Sequence, residues 1–207
     1  MLADSMLAFF IKGGIFMYPI LLCSVVSLAI FFEKLRVLQP RRVIPPGFLV
    51  EFEHMLRAEK VAPALELCRQ TDVPISRILA GGIKNYGKRR EVIKELIEEV
   101  GRREAAYLEK YVETLATIAN VATLLGLLGT ISGMIKIFGV IARQELVNPS
   151  MLAGGISEAL YTTGAGLGVA IPTLIFYRIV TGKADAIILE MEEYCLRMVE
   201  LIKEQRT

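Results

Sequence analysis

Histidine is almost missing from this chain, cysteine is scarce and net charge is small, and each scarcity excludes a class of chemistry. The single His54 lies in a charged helical stretch, far in sequence from Cys23, Cys68 and Cys195. Three cysteines are an odd number without metal-ligand spacing, so neither a disulfide framework nor a zinc site is supported, and all four read as ordinary helix residues. A net charge of +2 is too small to point to nucleic acid, and no basic patch interleaved with aromatics appears. Also missing are a glycine-rich phosphate loop followed by lysine, a His–Glu metal pattern and a nucleophile elbow. No catalytic residues, metal ligands or cofactor are therefore assigned, and the chain is not read as an enzyme. No alternating run reads as a strand.

What is present is apolar sequence in long blocks. Hydrophobic residues make up 54% of the chain, mean hydropathy is +0.50, and charge is segregated. The first uncharged run, 14–32, is long enough to cross a ~30 Å hydrocarbon core. Asp4 before it, the absence of a basic leader, and Glu33-Lys34-Leu35-Arg36 after it argue for a retained helix over a cleaved signal. The leader before it reads as a surface-lying amphipathic segment. A polar region follows with 16 Lys and Arg against 13 Asp and Glu between Glu33 and Glu113. Pro40, Pro45-Pro46, Pro63, Pro74 and Gly81-Gly82 punctuate it as turn signals. Between them Phe48, Phe52, Met55, Leu56 and then Ala64, Leu65, Leu67, Cys68 recur at helical spacing.

From Arg90 onward a proline-free stretch predicts one helix running to about Ala142, with Gly101 as its interruption and opposite charges (Glu91/Lys94, Lys94/Glu98, Glu99/Arg103) supporting its exposed part. The organisation that follows is 1–13 as an outer segment, 14–32 as the first span and 33–114 as a cytoplasmic helical domain. Then come 115–142 as the second span, 143–155 as a short outer link, 156–180 as the third span and 181–207 as a cytoplasmic C-terminal helix. The fold class is an all-α membrane protein with three transmembrane helices and long cytoplasmic helical extensions. Lys34, Arg36, Arg41, Arg42, Arg102, Arg103, Lys110, Arg178 and Lys183 flank one side of the spans, against Lys12 and Arg143 on the other. The positive-inside rule then puts the N-terminus outside and the C-terminus in the cytoplasm.

Chemistry in such a chain resides in polar groups at membrane depth. Glu158 has two readings: a carboxylate facing a bundle interior or wet cavity, or an interfacial residue favoured by the dipole at a helix N-terminus. Thr162 and Thr163 lie about a turn deeper, and Thr130 lies in the middle of the second span. Each hydroxyl can bond a carbonyl of its own helix, or together with Glu158 they can form a polar pathway. Gly126, Gly129 and Gly133 in the second span, and Gly164, Gly166 and Gly168 in the third, are the small residues that close helix approach in lipid requires. Glu158, Thr162, Ala165, Val169, Pro172 and Phe176 fall on one helical stripe, and Pro172 removes a backbone donor at a site where helices kink. Lys136 reads as snorkelling to the outer interface.

The segments LLGLLGTISGM at 124–134 and ISEALYTTGAGLGVAIP at 156–172 resemble the MotA/TolQ/ExbB proton-channel family, its ExbB/TolQ branch in particular. The stretch from PISRILAGGI to ETLATIANVA is similar to the same family's cytoplasmic segments, so the resemblance covers nearly the whole chain. It implies a homopentamer of long helices around a central pore in the bacterial inner membrane, in contact with its lipids. It also implies a single-span partner of the ExbD/TolR type, which would bring the proton-binding aspartate, and a TonB/TolA-like protein to receive the work. Thr130 and Thr163 match the family's pore threonines and Glu158 its pore-entrance glutamate; Gly126, Gly133, Ala165, Gly166, Val169 and Pro172 are assigned to packing and pore lining. Thr123 stands where the family often has proline, Gly164 where alanine is usual and Arg178 where asparagine is common. The function expected is a stator-like channel subunit coupling proton motive force to outer-membrane transport or envelope work. The alternatives are a non-conducting membrane scaffold and a sodium-driven member of the same family; a secondary transporter finds no inverted repeat in three spans.

Overall fold

A computed structural model of the chain describes residues 13–142 and 149–204, without the side chains of 151 and 202–204. The leader 1–12, residues 143–148 of the link and the last three residues lie outside the described residues. Everything described is helix or connection, with no strand among the described residues. In chain order the helices are α1 (Met17–Val37), α2 (Pro40–Val43), α3 (Pro46–Arg57), α4 (Val61–Thr71), α5 (Pro74–Ile83), α6 (Arg90–Glu109), α7 (Val112–Ile141) and α8 (Pro149–Glu204). Two stretches, Arg90–Ile141 and Leu152–Leu201, contain helix long and apolar enough to cross a membrane. The chain divides into two compact units, one made of residues up to Phe32 with Tyr111–Arg178, the other of Glu33–Lys110 with Ile179 onward.

The second of these, from Glu33, is built around large apolar side chains. Pro40, Pro46 and Pro74 each open a helix, where the missing N–H is not needed and the fixed φ suits the first turn. Three of the prolines that read as breaks are thus helix starts, and Pro63 lies in the first turn of α4. Phe48, Phe52 and Leu56 on α3 and Ala64 and Cys68 on α4 are buried, while Met55, Leu65 and Leu67 of the same stripes are half-buried. Ile75, Ile78, Leu79 and Ile83 on α5, Ile93 and Ile97 on α6, and Ile187, Met191, Cys195 and Met198 on α8 complete the core. Gly81 and Gly82 are not a turn. They lie inside α5, and a Cβ at Gly82 would stand 2.7 Å from Ile97 Cδ1 while one at Gly81 would stand 3.2 Å from Val100 Cγ2, so their role is to let α6 approach. Arg77 fastens the α4–α5 turn to α6, donating from Nε to Asp72 Oδ1 at 2.9 Å and from Nη1 to Glu104 at 2.9 and 3.2 Å.

The helix expected to run from Arg90 to Ala142 is two helices, and the break is not at Gly101. Gly101 sits inside α6 with open space where a Cβ would be; one glycine costs a helix only about 1 kcal/mol. Instead Lys110 leaves the helical region with ψ 131°, and Tyr111 follows with φ 67°, a left-handed conformation that costs a non-glycine residue about 1–2 kcal/mol. A physical reason lies one turn back. Lys34 Nζ, on a 3% exposed lysine, donates to the Leu108 carbonyl at 3.1 Å, giving a cation and a donor to a carbonyl that the end of α6 frees.

The first unit has a different interior. Leu115, Ile118, Ala119, Ala122, Gly126, Gly129, Gly133 and Ile137 form the buried face of α7, and Ala159, Thr162, Ala170 and Thr173 are buried on α8. A Cβ at Gly166 would stand 2.7 Å from the Ala122 carbonyl oxygen and 2.9 Å from Gly126 Cα; one at Gly133 would stand 2.8 Å from Ala159 Cβ. Residue numbers rise along α7 as they fall along α8 through these contacts, so the two helices are antiparallel and touch backbone to backbone. Gly164 and Gly168 meet nothing within 4 Å, so of the cluster Gly164, Gly166 and Gly168 only Gly166 makes this crossing, while Gly155, nearer the start of α8, faces Ile137. The α8 helix runs on through Pro172, and Thr173 just beyond donates its hydroxyl to the Val169 carbonyl at 2.7 Å. Phe31 of α1 stacks on Phe176 of α8 with ring centroids 4.1 Å apart.

Candidate functional site

Thr162 and Thr163 of α8 lie along the α7–α8 seam because Gly129 and Gly126 of α7 leave room for them. Thr163 donates from Oγ1 to the Gly126 carbonyl across the seam at 2.9 Å. Thr162, next to it and 1% exposed, packs its side chain against Gly129, where a Cβ would collide with it. Its Oγ1 lies 2.6 Å from the Gly13 carbonyl oxygen and 2.9 Å from that of Glu158, and its one proton serves either. Thr130 is half-buried and donates to Leu127 O of its own helix at 2.6 Å. Thr123 does the same with Ala119 O at 3.0 Å. The seam therefore brings Thr162 and Thr163 together with Gly126 and Gly129, while the Thr130 hydroxyl is committed within α7.

Glu158 is the site residue whose surroundings differ most from expectation. Residues 149–155, read from sequence as link, are the first turns of α8. Glu158 is thus more than two turns inside the helix, beyond the reach of the N-terminal dipole, which falls off within the first turn. What holds it is Lys136 of α7, whose Nζ pairs with Glu158 Oε1, so Lys136 is a cross-helix partner and not simply a snorkelling side chain. Gly14, with φ 73°, crowds the same carboxylate so closely that a Cβ there would strike it. The sequence carried a signal for this pair: Lys136 and Glu158 are the two charges nearest the link on the apolar stretches that flank it. At the other end of the same helices Tyr177 donates from its hydroxyl to Glu113 Oε1 at 3.2 Å.

The remaining assigned residues divide by exposure. Gly126, Gly133 and Gly166 are at the seam; Ala165 and Val169 are half-buried and Pro172 is exposed. Large apolar side chains cover the outside of the pair, including Leu124, Leu127, Ile135, Phe138, Leu160 and Ile171, each more than half exposed. A surface of that kind needs lipid or other helices over it. The second unit contributes a cleft of about 380 Å³ between Ile78, Ile97, Met191 and Val199 with Lys94, Glu98 and Arg102 at its margin. Burial pushes two thiols of this unit up, Cys68 to about 12 and Cys195, with Glu192 adding to the effect, to about 12. Neither is a reactive nucleophile.

A sequence model of the MotA/TolQ/ExbB proton channel family matches residues 70–193, which takes in all of α7 and the seam residues of α8. The chain belongs to the MotA/TolQ/ExbB family. Among its relatives is the biopolymer transport protein ExbB-like 1 of Synechocystis sp., 32% identical over 178 residues that cover 82% of this chain and 68% of that protein. Biopolymer transport protein exbB1 of Vibrio cholerae is 27% identical over 201 residues, 94% of this chain and 86% of its own. The Tol-Pal system protein TolQ of Haemophilus influenzae is 27% identical over 175 residues, 79% and 77% of the two chains. The MotA/TolQ/ExbB family is one of membrane proton channels, and the long apolar helices of this member suit it to that setting.

Proposed function

We propose that this chain is the channel-forming, stator-like subunit of an inner-membrane energy-transducing complex of the ExbB–ExbD or TolQ–TolR type. In this reading α1, α7 and α8 supply three spans, the N-terminus is periplasmic and the C-terminus cytoplasmic. Five copies surround a pore, and a single-span ExbD/TolR-like partner stands in it with an intramembrane aspartate. Proton movement past that aspartate drives motion of the partner, and a TonB/TolA-like protein receives the work at the outer membrane or envelope. Thr130, Thr162, Thr163 and Glu158 line the ion pathway; Gly126, Gly133, Ala165, Gly166, Val169 and Pro172 set the packing around it.

One observation carries the reading beyond family membership. Between Glu113 and Glu158, and from Glu158 to Arg178, the described part of the first unit offers hydroxyls at mid-depth and no carboxylate. A proton relay within a membrane ordinarily needs an ionisable group, so a chain with threonines alone at that depth suits a pathway whose acid arrives on another polypeptide. The exposed apolar faces of α7 and α8 supply the surface for neighbouring copies and lipid.

The test is proton flux into liposomes holding the purified chain, with and without a co-expressed single-span partner. Flux that requires the partner is the expected result. A well-folded complex that passes no protons, under a potential or a pH gradient, would return the chain to the scaffold reading, and sodium flux in place of proton flux would move it to a sodium-driven branch.

A further inference from the structure

Charge is so rare in the first unit that each instance needs a reason. Among its described residues four side chains are charged: Glu113, Lys136, Glu158 and Arg178. Glu113 accepts a hydrogen bond from Tyr177 near one end. Lys136 and Glu158, toward the other end, are paired with each other across the α7–α8 seam. Charged groups at membrane depth are retained at a cost and are found paired or lining a pathway. Here the carboxylate is the enclosed member, with 26% of its side chain exposed against 57% for the lysine. Lys136, the crowding backbone at Gly14 and the helix turn anchored by Thr162 close around it.

We propose that Lys136 acts as an electrostatic brake on the ion path, holding Glu158 in an ion pair so that the carboxylate is not offered to incoming cations. The inference rests on the channel reading given above. An unpaired carboxylate at a low-dielectric mouth concentrates cations and raises their rate of arrival. An ammonium against it cancels that attraction, and because the ammonium is the more exposed partner an arriving cation meets positive charge first. Conduction then requires Glu158 to part from Lys136, which makes the pair a step in the ion's passage and Lys136 a positioning residue acting through Glu158.

The experiment uses the complex of this chain with its single-span partner in liposomes, comparing wild type, Lys136→Gln and Lys136→Arg. Proton flux is read at ionic strengths from about 0.01 M to about 1 M, set with an impermeant salt, over which the screening length shrinks from about 30 Å to about 3 Å. Lys136→Gln should raise flux at low salt by a factor on the order of ten, the ratio to wild type should fall toward one at high salt, and Lys136→Arg should restore the braked flux. A packing defect would not respond to salt in this way. Flux in wild type with a Lys136→Gln ratio at or below one, or a ratio indifferent to salt, overturns the brake and leaves the channel reading standing. Absence of flux in both overturns the channel reading and the brake with it.

A second measurement needs no variant. A water-soluble carbodiimide should join Lys136 Nζ to the Glu158 side chain as an amide with loss of water, which peptide mass spectrometry detects. Failure to find that cross-link in the wild-type complex, when exposed Lys–Glu pairs such as Lys94–Glu98 of the second unit are joined, also overturns the proposal.

Discussion

The two units of this chain are both helical, yet they are held together by opposite means. The unit from Glu33 to Lys110 with the end of α8 buries Phe48, Phe52, Leu56, Ile75, Ile78, Leu79 and Met191, side chains whose removal from water drives folding. The unit containing α7 buries Ala119, Ala122, Gly126, Gly129 and Gly133 along with Leu115, Ile118 and Ile137, and leaves most of its other leucines and isoleucines outside. In lipid, apolar burial supplies no drive, so contact comes from backbones brought close and from hydroxyls that bond across the gap. The same residue type accordingly does different work in each. Gly82 makes room for the flexible end of Ile97, whereas Gly166 makes room for the backbone of Ala122 and Gly126.

The largest effect should come from breaking that difference at its tightest point. Gly166→Leu places side-chain atoms where the Ala122 carbonyl and Gly126 backbone stand, and neither can move aside. We expect loss of the folded protein from detergent extracts, read by size-exclusion profile. Next in size is Ile75→Ala, which truncates a fully buried side chain of the second unit and should cost about 2–5 kcal/mol, measured as a lowered midpoint of denaturation.

A smaller effect follows from the thiols of the second unit. Cys68 and Cys195 are raised to about 12 by burial, so the folded state holds the neutral thiol while the unfolded chain ionises near about 8.5. The stability contributed by neutral burial is therefore whole below about pH 8.5 and is lost as pH climbs toward 12. A Cys68→Ala/Cys195→Ala chain should show a shallower decline between pH 8 and pH 11 than wild type. The smallest effect is expected at Gly164, which meets nothing within 4 Å. Gly164→Ala should leave an isolated protomer unharmed, with a gain of up to about 1 kcal/mol from helix propensity; if the substitution disrupts assembly instead, another chain packs against that face.

Much of the fold could be read from periodicity and from proline. The stripes at Phe48–Leu56 and Ala64–Cys68 lie on α3 and α4, and hydropathy marked α7 and α8. Local conformation was less legible. Gly101 attracted the break that Lys110 and Tyr111 make, because sequence shows which residue weakens a helix but not that Lys34, seventy-four positions from Leu108, will take up the carbonyl at its end. Gly81-Gly82 looked like a turn because paired glycines permit one, and only the proximity of Ile97 and Val100 shows their use. At the candidate site Thr163, Glu158 and the glycines stood out by being polar or small in apolar runs. The pairing of Lys136 with Glu158 depends on the antiparallel register of α7 and α8, which no single run contains, and on α8 starting at Pro149.

The most direct test of the channel account is Thr163→Val in the assembled complex. The change keeps volume and removes the hydroxyl that bonds Gly126 across the seam, a bond worth about 0.6 kcal/mol in membrane, so the complex should assemble at wild-type yield. The account predicts that partner-dependent proton flux is then lost. Full flux through an intact Thr163→Val complex would contradict it.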